Sequence, residues 1–377
     1  MSTLVEPGEF YELLGENDID VFAGVPDSLL QDFAAYVESA ASADRHIITA
    51  NEGNAVALAG GYHIATGKFA AVYLQNSGLG NTVNPLLSLA DEAVYGLPML
   101  LIIGWRGEPG TEDEPQHVTQ GRLNNPLLEL MGIEYAVLDP GSWREQVDWA
   151  VAQLRELSKP VAIVVRKGVF GKFASAERST TLTLKREDAL EAIIDAIDPS
   201  DFIVSTTGKT SREVFEIRER RGEGHSQDFL TVGGMGHASS IALGMCLGTD
   251  RRVYCIDGDG AFLMHLGAAV VAAQQHRENF RYVLVNNGAH ESVGGQPTVA
   301  FGIDIPAILI AAGFSGVETV REPADLPAAV RRLADSSGTA LVVEVAQGSR
   351  ADLGRPTRSP AENKFDMMRE FQGGAPQ

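Results

Sequence analysis

From one end of the chain to the other, short and wholly apolar runs alternate with segments of helical spacing. The runs are IDVFAG (19–24), HIITA (46–50), AAVYLQ (70–75), MLLIIG (99–104) and VAIVVR (161–166), then FIVSTT (202–207), DFLTVG (228–233), RVYCID (252–257), RYVLVN (281–286) and ALVVEV (340–345). Runs with no polar alternation read as strands buried on both faces. Helical spacing falls between them, at residues 28–40, 52–66, 143–157, 262–276 and 325–335. This alternation predicts an α/β chain of doubly wound, parallel sheets covered by helices. The pattern fades over KGVFGKFASAERSTTLTLK (167–185), which reads as a linker. The expected division is therefore two domains, 1–166 and 186–350, with about five strands each and a tail at 351–377.

Charge and composition remove several classes of function. The 377 residues hold 30 Lys and Arg against 50 Asp and Glu, a net charge of −20. That balance argues against non-specific nucleic-acid binding, which depends on phosphate neutralisation. No apolar stretch approaches the ~20 residues of a membrane span. The opening MSTLVEPGEF lacks the basic and apolar regions of a secretory signal. Cys246 and Cys255 lack metal-site spacing. A soluble, cytoplasmic protein is expected.

In doubly wound sheets, ligands bind beyond the carboxyl ends of strands. After RVYCID comes GDGAFLMHLG, and after RYVLV comes NNGAHESVGG. Asp259 and Asn287 lie 28 positions apart, one helix and one strand, so both reach the same sheet edge. Gly258 and Gly260 leave backbone N–H groups open to an anion. Asp259 and the Asn287 amide supply hard oxygens of the kind magnesium takes together with ligand phosphates. The segment GKTS (208–211) is not a phosphate loop of the Walker type, because the required first glycine is replaced by Ile203. Neither GLGNTV nor GDGAFL completes the dinucleotide fingerprint.

The GDG and double-Asn pair resembles the motif of the thiamin-diphosphate (ThDP) enzymes, in which it holds Mg2+ and the cofactor's diphosphate. The resemblance implies Asp259, Asn287 and the Ala289 carbonyl as metal ligands. It implies Gly258, Asp259, Gly260, Ala261 and Asn287 as cofactor contacts. NEGNAVALAGGYHIATG (51–67) resembles the pyrimidine-domain pattern, which makes Glu52 the residue that hydrogen-bonds the aminopyrimidine ring. YLQNSGLGNTVNPLLSL (73–89), with Gly78, resembles the loop flanking that ring. GGMGHASSIALG (233–244) resembles the segment whose apolar residue, here Met235, bends the cofactor. Gly236, His237 and Ala238 would then reach the diphosphate, and Gly208 and Gly234 join the cofactor glycines. Glu52 and Met235 also have plainer uses, as a first-turn glutamate and a core gap filler.

The absence of a middle domain narrows the resemblance. GVPDSLL (24–30), GWRGEPGTEDEPQHVTQGR (104–122), STTGKTSRE (205–213), NNGAHESVGGQPT (286–298) and GSRADLGRPTRSPAENK (348–364) look like the phosphonopyruvate decarboxylases, and the sulfopyruvate decarboxylases share much of this pattern. The implied activity is ThDP- and Mg2+-dependent, non-oxidative decarboxylation of a small anionic 2-oxo acid in phosphonate natural-product biosynthesis. An acetolactate-synthase-like carboligase is the rival within the same cofactor class. The family also implies a homodimer or larger homo-oligomer, with active sites between subunits. An anionic substrate calls for cations and polar donors. The candidates are Ser28, Arg106, Gln116, Lys209 and Arg212, with Arg350, Arg355 and Arg358 in the tail. Asp27 and His117 match positions where related decarboxylases keep acid–base groups, though Asp27 also suits a helix cap at Ser28 and His117 a structural hydrogen bond. The acidic segment 108–115 reads either as a lid or as an exposed turn.

Overall fold

A computed structural model describes residues 4–174 and 180–372. Two compact units emerge, Met1–Glu177 with Val293–Gln296, and Arg178–Ser292 with Pro297–Gln377. The first unit carries β1 (Ile19–Gly24), β2 (His46–Ile48), β3 (Phe69–Gln75), β4 (Leu100–Gly104), β5 (Glu134–Val137) and β6 (Val161–Val165). The second carries β7 (Phe202–Ser205), β8 (Asp228–Leu230), β9 (Val253–Gly258), β10 (Phe280–Asn286), β11 (Gly316–Val320) and β12 (Thr339–Glu344).

All ten sequence-predicted strands form, and every pairing within the two sheets is parallel. The sheets run β2-β1-β3-β4-β6-β5 and β11-β12-β10-β9-β7-β8. Read from the opposite side, the second order repeats the first, strand for strand. Each sheet has six strands rather than five, because β5 and β11 were not expected. Both are edge strands, and β11 is half-buried along most of its length. The central β4, β6 and β10 are buried throughout.

Four of the five helical patterns appear close to the expected bounds, as Gln31–Ala40, Glu52–Thr66, Trp143–Leu157 and Leu326–Asp335. The fifth is broken: Asp259–Met264 and Leu266–Gln274 are separated at His265, whose backbone (φ −132°, ψ 51°) leaves the helical region. Among the described residues no helix is long and apolar enough to cross a membrane.

The expected linker and tail contribute to the packed units. Val169 and Phe170 are buried in the first core, where Phe170 stacks on Phe33 and meets Phe10 edge-on, with centroids 5.3 Å apart in both pairs. Such pairs add about 0.5–1.5 kcal/mol each beyond area burial. Residues 175–179 of that stretch lie outside the described residues, as do 373–377 of the tail. The rest of the tail carries the helix Pro360–Phe371, opened by a Ser359–Glu362 capping box. Phe371 stacks on Phe202 at 4.0 Å, and Asn363 bonds β8.

Candidate active site

The register of the first sheet sets Gly24 beside Tyr73 and Gln75 beside Gly104, so the residues after β1, β3 and β4 gather at one carboxyl edge. The chain direction reverses across the sheet between β1 and β3, which is where such folds place ligands. After β1, Asp27 is fully buried. Leu29 N–H donates to its Oδ2 at 3.1 Å, while Oδ1 has no hydrogen-bond partner among the described residues. A side chain at Gly104 would put its Cβ 1.8 Å from that Oδ2, so only glycine leaves the carboxylate its place. Burial pushes Asp27 up to about 6, against the pull of Arg106. The following helix starts at Gln31, so Asp27 braces the bend at 28–30 and is not a cap at Ser28.

Glu52 opens the helix Glu52–Thr66, behind the N-cap Asn51, whose side chain accepts from Gly53 N–H at 2.8 Å. Its carboxyl is buried, and burial raises its pKa against a hydrogen bond from Asn81. Asn81 Nδ2 donates to Oε2 at 2.7 Å. Oε1 faces Gly78, where an added Cβ would lie 2.2 Å away. Gly78 thus makes room for the Glu52 carboxyl.

Beyond β3 and β4, Asn76 exchanges two hydrogen bonds with the Arg106 backbone, at 2.8 and 3.1 Å. Arg106 Nε donates to Asp113 Oδ2 at 2.8 Å, Nη2 to the other oxygen, and Nη1 to Ser28 Oγ at 2.8 Å. Asp113 also accepts from the N–H groups of Gly107 and Glu114, both at 2.8 Å. The acidic segment is therefore pinned at its centre, and Glu108 near its start pairs with Arg166 at 3.0 Å. His117 is buried with no partner for Nδ1 among the described residues, and Gln116 Nε2 lies 3.5 Å from its Nε2. Burial, then the nearby Arg106, lowers His117 to about 4.

In the second sheet Val285 pairs with Gly258, so the chain leaves β9 and β10 side by side at the carboxyl edge. Asp259 is buried there and accepts from the Thr298 hydroxyl and from the backbone N–H groups of Asn287 and Gly260. Burial raises it to about 6. Asn287 Oδ1 accepts from Ala289 N–H at 3.1 Å. The loop from Gly233 to Gly236 meets this edge. Gly233, Gly234 and Gly236 all have positive φ (78°, 56° and 83°), open only to residues free of a Cβ penalty. A Cβ on Gly260 would lie 3.3 Å from Met235 Cε, and one on Gly236 would lie 3.0 Å from the Ala261 carbonyl. His237, exposed, stands at the N-cap position of the helix Ala238–Cys246 without capping it through its side chain, and its ring centroid lies 4.5 Å from that of His265. Gly208 has φ 97°, and a Cβ there would press on Ser292 Oγ at 2.6 Å.

These residues suit the group expected of them. Among the described residues no three His, Cys, Asp or Glu side chains cluster as a metal cage. The Asp259–Asn287–Ala289 set offers one carboxylate, one amide oxygen and one carbonyl. A magnesium ion taking its other ligands from phosphate and water fits such a set.

The expected substrate cations fare differently. Arg106 stays in the Asp27–Ser28–His117 group, although Asp113 holds one edge of it. Lys209 Nζ is bonded to Glu291 Oε1 at 3.0 Å. Arg350 is paired with Glu187, Glu216 and Asp352, and Arg358 with Asp366, so both serve packing within the second unit. Arg212 is half-buried in the helix Lys209–Arg221, and Arg355 is exposed. Sequence reasoning missed Asn76, Asn81, Asp113, Thr298 and Glu291. Asn76 and Asn81 bound the NSGLGN segment around Gly78, and Asp113, Glu291 and Thr298 lie within strings already quoted, so position in those strings was the available signal.

Comparison with known proteins agrees with this geometry. The thiamine pyrophosphate enzyme N-terminal TPP binding domain matches residues 9–128, and the C-terminal TPP binding domain matches residues 206–345. A phosphonopyruvate decarboxylase from Streptomyces hygroscopicus is 35% identical over 363 residues, spanning 91% of this chain and 88% of that protein. One from Streptomyces viridochromogenes is 34% identical, over 91% and 89%. A sulfopyruvate decarboxylase from Methanosarcina acetivorans is 27% identical, over 87% and 88%. Paired TPP-binding domains and relatives aligned over nearly their whole length lead to one assignment: the chain belongs to the thiamine pyrophosphate enzyme family, as a relative of the phosphonopyruvate decarboxylases.

Proposed function

We propose that the protein is a ThDP- and Mg2+-dependent carboxy-lyase that converts 3-phosphonopyruvate to phosphonoacetaldehyde and carbon dioxide, as a cytoplasmic homo-oligomer of at least two chains. The observation that carries the chemistry is the buried Glu52 carboxyl, with Asn81 on one oxygen and glycine space around the other. The likeness to two phosphonopyruvate decarboxylases supports the substrate.

Bound ThDP supplies the electron sink for the pair released when a carboxylate leaves as carbon dioxide. Glu52 keeps its proton to higher pH than an ordinary carboxyl, so Oε1 can donate to a ring nitrogen while Oε2 accepts from Asn81. Asp259, Asn287 and the Ala289 carbonyl offer oxygens to Mg2+, whereas the Gly258 and Gly260 N–H groups, expected to be open to an anion, are bonded to the Asp257 and Asp259 carboxylates. Arg106, steadied by Asp113, turns its remaining N–H groups and the Ser28 hydroxyl toward an anionic substrate. Asp27, raised to about 6, holds a proton close to neutrality and is the better donor to the product carbon. His117, lowered to about 4, is neutral at working pH and suits accepting a hydrogen bond.

The test is carbon dioxide release with ThDP and Mg2+ on phosphonopyruvate, sulfopyruvate and pyruvate. Phosphonopyruvate should give the highest kcat/KM, with an aldehyde product. A preference for sulfopyruvate, the reading favoured by the Methanosarcina relative, would overturn the substrate and keep the chemistry. Acetolactate formed from pyruvate would make the protein a carboligase. Light scattering that finds a monomer at assay concentration would remove the oligomer.

A further inference from the structure

The carboxyl edge of the second sheet holds a chain of ionic contacts that runs from Glu213 to Asn287. Glu213, almost wholly buried, accepts two hydrogen bonds from Arg186, at 2.7 and 2.8 Å. The other edge of the same guanidinium, Nη1, donates to Glu291 Oε2 at 2.6 Å. Lys209 Nζ reaches Glu291 Oε1 at 3.0 Å. Glu291 Oε2 also accepts from Asn287 Nδ2, at 2.7 Å. Each oxygen of the Glu291 carboxylate thus carries one cation, Arg186 on Oε2 and Lys209 on Oε1.

A carboxylate that takes a cation's hydrogen bond on each oxygen acts as an acceptor alone. The Asn287 atom that faces it must therefore be the amide nitrogen, since the reverse flip would set two oxygen lone pairs against each other. This fixes Oδ1 on the far side of the amide, where it accepts from Ala289 N–H at 3.1 Å. The Asn287 backbone N–H is already committed to the Asp259 carboxylate. Backbone and side chain of Asn287 are thus both tied, and the side chain is tied by a group that two cations hold still.

We propose that Glu291, locked by Arg186 and Lys209, is a positioning residue that sets the amide of Asn287 and so presents its Oδ1 to a divalent cation. The inference rests on the Mg2+ reading of Asp259 and Asn287. Lys209 belongs to this lock rather than to the substrate's cations. A residue that merely neutralised Arg186 would affect stability and leave metal affinity alone.

The test measures Mn2+ uptake by the full chain with ThDP, from the paramagnetic resonance signal of free Mn2+. Glu291→Gln keeps the shape but no longer dictates the flip, because two facing amides can pair either way round. It should weaken Mn2+ binding about 10–100-fold, as loss of a ligand's outer partner does. In the Asn287→Ala background the same substitution should change affinity less than twofold. Lys209→Met, which loosens the lock at a distance, should give a smaller loss that also vanishes in that background. This second variant decides the matter if Glu291→Gln does not fold. Single variants that bind within twofold of wild type, or losses that persist without Asn287, would overturn the inference and leave the Mg2+ reading intact. A wild-type chain that takes up no Mn2+ would overturn both.

Discussion

Asp27 and Glu52 are carboxyls whose surroundings oppose ionisation, and each makes a separate prediction. The folded Asp27 binds a proton more tightly than the unfolded chain does, at about 6 against 3.8. The stability this provides is present in full below pH 3.8 and is lost as pH rises through about 6. Asp27→Asn, which stays neutral, should raise stability by about 3 kcal/mol at pH 8 and leave it unchanged at pH 3.5, as measured by urea unfolding at both pH values. The same variant should cut kcat about 10²–10⁴-fold and abolish the fall in activity above pH 6. A melting gain without that loss would make Asp27 structural. Glu52→Gln should lower kcat by a similar factor; an unchanged rate of carbon dioxide release would end its assignment. Spacing made Asp259 and Asn287 legible as candidates, since each directly follows a strand, and the resemblance of residues 51–67 did so for Glu52. Their partners were not legible. Asn81 is 29 positions from Glu52, and Arg186 is 105 from Glu291, and only the folded sheet brings such residues together.

Central strands and terminal elements were legible to different degrees. A strand buried on both faces must be apolar throughout, so β4, β6 and β10 stand out in the sequence. An edge strand such as EYAV or GVETV packs on fewer neighbours and looks like loop. The two prolines of RPTRSP and the ending GGAPQ make 351–377 read as a tail, yet the capping box Ser359–Glu362 that opens the helix Pro360–Phe371 is visible in the sequence. This helix completes the free side of β8. Asn363 donates to the Asp228 carbonyl at 2.7 Å and accepts from Leu230 N–H at 3.1 Å, both buried. Asn363→Ala would leave both backbone groups unpaired, at about 1–3 kcal/mol each. Denaturant unfolding should show the sum of the two, a loss of about 2–6 kcal/mol. A change below about 0.5 kcal/mol would mean that the helix does not secure β8.

At the scale of the whole chain, the net charge of −20 acts on a reaction whose proposed substrate is itself an anion. Raising salt from about 0.01 to 0.15 M shortens the Debye length from about 30 to 8 Å. The kcat/KM for phosphonopyruvate should rise severalfold over that range, and that for pyruvate, which carries less charge, should rise less; equal slopes would place the effect elsewhere. The repeated strand order has a different consequence, for how the chain comes apart. Neither sheet borrows a strand from the other unit, so backbone amides should open in two cooperative blocks. In hydrogen exchange, Phe33→Ala should speed the slowest amides of β1, β3 and β4 and spare those of β7, β9 and β10. Two half-lives would then describe the survival of this fold, and a ligand held mainly by one half would lengthen only its own.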